Sequence, residues 1–137
     1  MTVRWPLLAV AGGLALVAGC SSGTGGGGGT AAAAPPAFQE LSDLLHAAGA
    51  EHPPASLADL NRYKGKFLRG YEAVKSGEIV VLWGTPVKGE GEVGKDEQVI
   101  AYEKDVPTNG GYVLMSAGTI KKMSAAEFNS APKAGQR

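Results

Sequence analysis

The sequence predicts an α+β domain. N-terminal helices pack on one face of a small antiparallel meander of three or four strands, and a short helical turn follows. Apolar residues recur at helical spacing in the first half of residues 37–131. The second half contains short runs of β-forming residues separated by turns that contain glycine. No segment repeats another, so these residues predict one small domain.

The helices are predicted in chain order from apolar spacing and from their ends. Four apolar residues lie on one face of the first helix: Phe38, Leu41, Leu44 and Leu45. Gly49 ends this helix. Ser56 is the predicted cap of a second helical segment that closes at Gly65. Residues 71–76 form a third segment, which Gly77 stops.

The strands are predicted from runs of β-forming residues: 79–83, 99–102, 112–115 and 119–123. Residues 79–83 are apolar without alternation, which predicts a central strand buried on both faces. Ala117 and Gly118 predict a tight hairpin, with Gly118 at positive φ. Lys121 and Lys122 predict that the last strand is an exposed edge.

A capping box predicts the helical turn after the last strand. Ser124 and Glu127 have the S-x-x-E spacing in which each side chain bonds the other residue's backbone N–H. The turn would carry Phe128 back onto the sheet. Residues 132–137 are predicted to be a disordered tail.

The first residues of the chain have the features of a secretory signal. Residues 1–4 carry one positive charge, and residues 5–18 are apolar and uncharged. That run is too short to span a membrane but suits the apolar region of a signal peptide. It ends in Val17, Ala18, Gly19 and Cys20, which resemble the lipobox of bacterial lipoproteins. The resemblance implies that a signal peptidase recognises residues 17–19 and that Cys20 receives diacylglycerol and becomes the first residue.

The lipobox resemblance also implies a location and a domain organisation. Residues 1–19 are the predicted signal, residues 20–36 the lipidated cysteine with a flexible Gly/Ala/Pro tether, and residues 37–131 the folded domain. The lipid would hold the protein on a membrane of the cell envelope, facing the periplasm or the exterior. Ser21 stands where an aspartate would favour inner-membrane retention, so the outer membrane is favoured in cells with two membranes.

Charge and cysteine content exclude several classes of protein. Lys+Arg and Asp+Glu are 13 each, and residues 37–131 hold 13 acids against ten bases. We therefore expect no nucleic-acid partner and no basic stripe for lipid. The single cysteine, Cys20, excludes an internal disulfide framework and a cysteine-rich zinc site.

No motif predicts a catalytic residue, a metal or a cofactor. Residues 89–94 match the letters G-x-G-x-x-G, but no helix pattern follows, and Glu90 and Glu92 would repel a pyrophosphate. The acids there and at 96–97 do not have the spacing of a calcium loop. His46 and His52 lack a standard zinc spacing, and the serines lack a G-x-S-x-G setting.

Three aromatic residues are candidates for a binding surface: Trp83, Tyr102 and Tyr112. The alternative is that they fill the core, which is favoured for Trp83. The prediction for the whole chain is a lipid-anchored envelope protein whose small domain is a non-catalytic binding or structural unit. Its expected partners are the membrane, through the lipid, and an envelope protein.

Two other functions stay open. One is a small envelope hydrolase or metal-dependent enzyme, which would need a pocket that gathers His46 or His52 with glutamates. The other is an accessory subunit of a secretion or pilus-like machine. It is suggested by residues 111–128, which resemble the strand–turn–strand–cap pattern closing the globular domains of bacterial pseudopilins.

Overall fold

The computed structural model describes residues 33–88 and 96–135. Within these ranges the elements are α1 (Pro36–Ala48), a 3₁₀ helix (Leu57–Leu60), α2 (Leu68–Ser76), β1 (Ile79–Val81), β2 (Val99–Glu103), α3 (Val106–Asn109), β3 (Gly111–Met115), β4 (Ile120–Met123) and α4 (Ala125–Ser130). The strands form one antiparallel sheet in the order β1-β2-β3-β4. The predicted α+β class and the antiparallel meander are therefore confirmed.

The first helical layer covers one face of the sheet. The predicted apolar face of α1 is the buried one, since Phe38, Leu41, Leu44 and Leu45 are all at most 4% exposed. They pack in one cluster with Ile100 of β2 and Leu114 of β3. Fixing α1 on the sheet therefore depends on burial of this face, because a helix of this length is marginal alone in water.

Helix α2 crosses α1 at close range through Gly70. A Cβ on Gly70 would lie 2.7 Å from the backbone nitrogen of Leu41. The Glu40 carboxylate accepts hydrogen bonds from the backbone N–H groups of Arg69 (2.8 Å) and Gly70 (3.3 Å). Those N–H groups lie in the first turn of α2, where no intrahelical acceptor is present. A side chain of α1 thus supplies the cap that α2 lacks locally.

Strand β1 is an edge strand, so the prediction of a central strand was wrong. It pairs with β2 alone among the described strands, and Val80 and Val81 are only partly buried. After Leu82, whose N–H donates to Ile100 O (2.8 Å), the chain leaves the sheet at Gly84 (φ +89°). Ile79, Val81, Leu82 and Trp83 pack in or against the α1 cluster, so this apolar run does not require a position between two strands.

A bulge in β2 leaves backbone groups of Val99 free to pair with the C-terminal residues. The register shifts between Val99 and Ala101, so consecutive residues offer backbone groups to the same side. The Val99 N–H donates to Pro132 O and the Ala134 N–H donates to Val99 O, both at 2.9 Å. Residues 132–134, which the sequence placed in a disordered tail, are therefore attached to β2, and Ala134 is 3% exposed.

The second face of the sheet is covered as well, so the helices do not lie on one face only. Phe128 of α4 and Val106 of α3 pack with Val99, Val113 and Met115 in a separate cluster. Alternate residues of β3 therefore face different helical layers, as the two-residue period of a strand requires. The short helix α3 was not predicted from the sequence.

In the β3–β4 hairpin the predicted positive φ of Gly118 is confirmed, but the loop is one residue longer than predicted. Met115 O accepts from the Gly118 N–H, and the Met115 N–H donates to Thr119 O, both at 2.9 Å. Gly118 has φ +83°. Residues 116–118 form the three-residue loop with a left-handed glycine that is common in hairpins. The exposed positions of Lys121 and Lys122 on edge strand β4 are confirmed.

The capping box of α4 predicts an acid-sensitive contribution to stability. The Ser124 N–H donates to Glu127 Oε2 at 2.7 Å, and the Glu127 N–H donates to Ser124 Oγ at 3.3 Å. The Ser124 backbone N–H, and then its hydroxyl, lowers the pKa of Glu127 below its ordinary value. A carboxyl with a lower pKa when folded stabilises the fold above its unfolded pKa, and this contribution is lost as pH falls through the folded pKa.

We expect Glu127→Gln to lower the free energy of unfolding at neutral pH, measured by urea titration. The difference from the unmodified chain should shrink as pH falls below the normal titration range of glutamate. Protonation of Glu127 in the unmodified chain then removes the same carboxylate charge that the substitution removes. A difference that stays constant across this range would contradict the role assigned to the Glu127 carboxylate.

Candidate functional site

The predicted lipidation residue lies outside the described residues. Cys20 and the three residues before it, Val17, Ala18 and Gly19, precede residue 33, where the description begins. Most of the predicted tether lies there too. The domain itself begins at Pro36, the first residue of α1.

The three candidate aromatic residues do not form one surface. Tyr102 packs on Phe128, with ring centroids 4.7 Å apart, in the cluster on the α4 side of the sheet. Tyr112 lies against the α1 side, where its ring centroid is 6.4 Å from that of Phe38. Trp83 follows β1 and is partly buried against the α1 cluster. Each ring therefore serves packing in its own place, and the three have no common groove.

The two histidines are not part of any metal-binding group of side chains in the described residues. No cluster of three or more His, Cys, Asp or Glu side chains that could hold a metal occurs among residues 33–88 and 96–135. His46 is exposed and lines a depression of about 340 Å³ with Ser42 and Asp43. No hydrogen bond joins these three side chains in the described structure. His52 is exposed in the loop after α1.

A cleft of about 620 Å³ lies at the end of the sheet where β1 begins and β2 ends. Its apolar side is formed by α1, α2 and β1, and its polar rim by the end of β2 and the α3 turn. The lining residues are Pro35, Ala37, Phe38, Ala73, Glu78, Ile79, Glu103, Lys104, Asp105, Asn109 and Gly110. This cleft can bind a ligand that has an apolar body and N–H groups, because the carboxylates can accept hydrogen bonds from those groups.

Glu103 lies on the polar rim of the cleft and also holds the start of β3. Its Oε2 accepts the backbone N–H of Tyr112 at 2.8 Å, which fixes the first residues of β3. A Cβ on Gly111 would collide with this carboxylate. Gly110, at φ +74°, has the left-handed backbone that favours glycine. Of the pair Gly110-Gly111, predicted as a turn, Gly111 thus also makes room for an acid at the cleft.

A basic surface segment was missed by the sequence reasoning. Four of the 13 Lys and Arg residues fall between positions 62 and 69, at Arg62, Lys64, Lys66 and Arg69. All four are exposed. The charge total of residues 37–131 is acidic, so it did not reveal this local excess of basic residues. A sliding window of charge along the chain would have found this 62–69 segment.

The local structure of the 62–69 segment differs from the predicted helix. Only residues 57–60 form a 3₁₀ helix, and i→i+3 bonds continue from Tyr63 N–H to Leu60 O (3.0 Å) and from Lys66 N–H to Tyr63 O (3.0 Å). Leu60 is the only fully buried residue between positions 57 and 66. So few apolar contacts do not favour a longer α-helix.

No helix in the described part of the chain is long and apolar enough to cross a membrane. No family model matches this sequence, and no curated protein or solved structure is significantly similar to it.

Proposed function

We propose that this chain is a lipid-anchored protein of the bacterial cell envelope, and that its small α+β domain binds a partner without catalysing a reaction. The observation that carries the proposal is the position of the only cysteine. Cys20 directly follows an uncharged apolar run and the small residues Ala18 and Gly19. Two or more acyl chains at such a cysteine would anchor a protein stably, since each buried CH₂ contributes about 0.8 kcal/mol.

The domain supports a binding role by what its surface offers. The 620 Å³ cleft combines an apolar wall with carboxylates, and its Glu103 carboxylate already accepts a backbone N–H within the protein. Pro35 and Ala37 line this cleft, so it lies where the chain enters the domain from Cys20. A domain held by lipid would present this end close to its own anchor.

Labelling with radioactive palmitate in a bacterial host tests the anchor. We expect the full chain to incorporate label and to fractionate with membranes, because the thiol of Cys20 is the acceptor. The Cys20→Ser variant should incorporate none and should keep the uncleaved signal. The Ser21→Ala variant is the matched control and should be labelled like the unmodified chain. Equal incorporation into the full chain and Cys20→Ser would disprove lipidation at this residue.

A further inference from the structure

We propose that the 62–69 segment is a second membrane contact, which lays the domain on an anionic phospholipid surface beside its lipid anchor. The segment supplies basic side chains for lipid phosphates and one exposed leucine for the bilayer interface. This inference rests on the proposed function in one respect: the lipid anchor is what places a membrane within reach of the segment. Its own binding to vesicles needs no lipid on the protein.

The charge of the segment is available to an external partner. Lys64 and Lys66 are exposed and form no ion pair with any side chain in residues 33–88 and 96–135. The Arg62 guanidinium lies over the Tyr63 ring at 5.3 Å, so it remains at the surface. Arg69 is 3.8 Å from Glu40, but its side chain is 70% exposed, and so exposed a pair is weak.

The nearest acid before the segment is engaged elsewhere. Asp59 Oδ2 accepts the backbone N–H groups of Ala55 (2.9 Å) and Ser56 (3.1 Å). Its carboxylate therefore caps the 3₁₀ helix. Residues 62–69 contain no acid at all. A lipid surface would meet four cations within eight residues, and juxtamembrane cations of this kind each contribute about 1 kcal/mol on anionic membranes.

The apolar component is Leu68, which is 58% exposed at the first residue of α2. It is the one large hydrophobic residue that the described structure leaves exposed. Phe67 beside it is partly buried against the core, so the backbone under Leu68 is held in place. Such a surface can combine attraction of its cations to anionic lipids with burial of the leucine side chain in the bilayer interface.

The position of the segment favours the membrane over other polyanions. The backbone N–H of Arg69 donates to Glu40, which lies four residues after Pro36, the first residue of α1. Four residues of helix rise about 6 Å, so the segment ends close to the point where the chain enters the domain. Twelve residues lie between Cys20 and Ala33, and the thirteen Cα-to-Cα steps from one to the other reach at most about 45 Å. An anchored domain therefore keeps its entry point, and this surface beside it, within that distance of the bilayer.

Vesicle co-sedimentation tests the proposal. The protein is the chain from residue 20 onward with Cys20→Ser, which cannot be lipidated and keeps every described residue. We expect it to bind vesicles of phosphatidylcholine with phosphatidylglycerol, and to bind pure phosphatidylcholine vesicles weakly. The double variant Lys64→Gln/Lys66→Gln should lose about 30-fold in affinity, since each cation contributes about fivefold. Leu68→Ala should lose about tenfold.

The matched control removes two lysines from another exposed place. Lys121→Gln/Lys122→Gln on β4 changes the net charge equally and should alter affinity less than about twofold. An equal loss in both double variants would overturn the proposal, because it would show a response to net charge alone. A single-stranded oligonucleotide is the second probe. If it binds as tightly as the anionic vesicles and Leu68→Ala has no effect on either, the segment binds polyanions generally and the membrane proposal is wrong.

The two proposals can fail separately. Absence of vesicle binding by the lipid-free chain, together with palmitate labelling of the full chain at Cys20, would overturn the second contact and leave the anchor. Vesicle binding without palmitate labelling would do the reverse. Far-ultraviolet circular dichroism of each variant shows whether it is folded, and a folded Lys64→Gln/Lys66→Gln or Leu68→Ala variant with unchanged vesicle affinity would overturn the proposal.

Discussion

Replacing Phe38 by alanine should lower the free energy of unfolding by about 3–5 kcal/mol, the usual cost of removing a buried phenylalanine. Phe38 is 1% exposed and joins α1 to the sheet through its contact with Tyr112. A domain of this size has a total stability of about 5–15 kcal/mol. This one substitution would therefore remove a large fraction of it.

Urea unfolding followed by Trp83 fluorescence measures the effect of Phe38→Ala. In the chain from residue 20 onward Trp83 is the only tryptophan, since the other, Trp5, lies before Cys20. Leu68→Ala is the control, because Leu68 is 58% exposed, and it should change stability by less than about 0.5 kcal/mol. A loss below about 1 kcal/mol for Phe38→Ala would show that the first turn of α1 is not fixed on the sheet.

Gly70→Ala should destabilise the domain by about 1–3 kcal/mol, although alanine is the better helix former. The added Cβ would lie 2.7 Å from Leu41 N and 2.9 Å from the Glu40 carbonyl carbon. Both atoms belong to the backbone of α1, so neither can rotate away, and the two helices must separate. Helix propensity alone would stabilise the variant by about 1 kcal/mol.

The sign of the change therefore distinguishes packing from propensity. Gly65→Ala is the matched control, because a Cβ there meets nothing within 4 Å, and we expect a change of less than about 0.5 kcal/mol. Thermal unfolding of both variants by circular dichroism gives the comparison. A stabilised Gly70→Ala variant would mean that α1 and α2 do not cross as closely as the structure shows.

Local signals in the sequence were enough for most of the secondary structure. The apolar face of α1, the stop of α2 at Gly77 (φ +80°) and the capping box of α4 depend on residues within one or two turns of each other. Gly118 at the β3–β4 hairpin is equally local. Such features are visible to sequence reasoning because neighbours along the chain determine them.

The candidate sites were less accessible to the same reasoning. Tyr102 and Tyr112 belong to adjacent strands but face different helical layers, so their shared residue type did not indicate a shared surface. The cleft gathers residues from the start of α1, from α2, from the start of β1 and from the end of β2 to Gly110, which only chain folding brings together. The 62–69 segment was present in the sequence, but a charge total over the whole domain averages out a local excess.

Residue types a few positions apart were enough to predict the α+β class and most element boundaries, and they also carry the resemblance of residues 17–20 to a lipobox. Three features became visible only in the folded chain: β1 is an edge strand, helices cover both faces of the sheet, and residues 132–134 attach to β2. The position of the 62–69 segment beside the chain entry is a fourth, and it follows from the hydrogen bond between Arg69 N–H and Glu40. These features depend on contacts between residues distant in the chain, and neither composition nor periodicity specifies which distant partners meet.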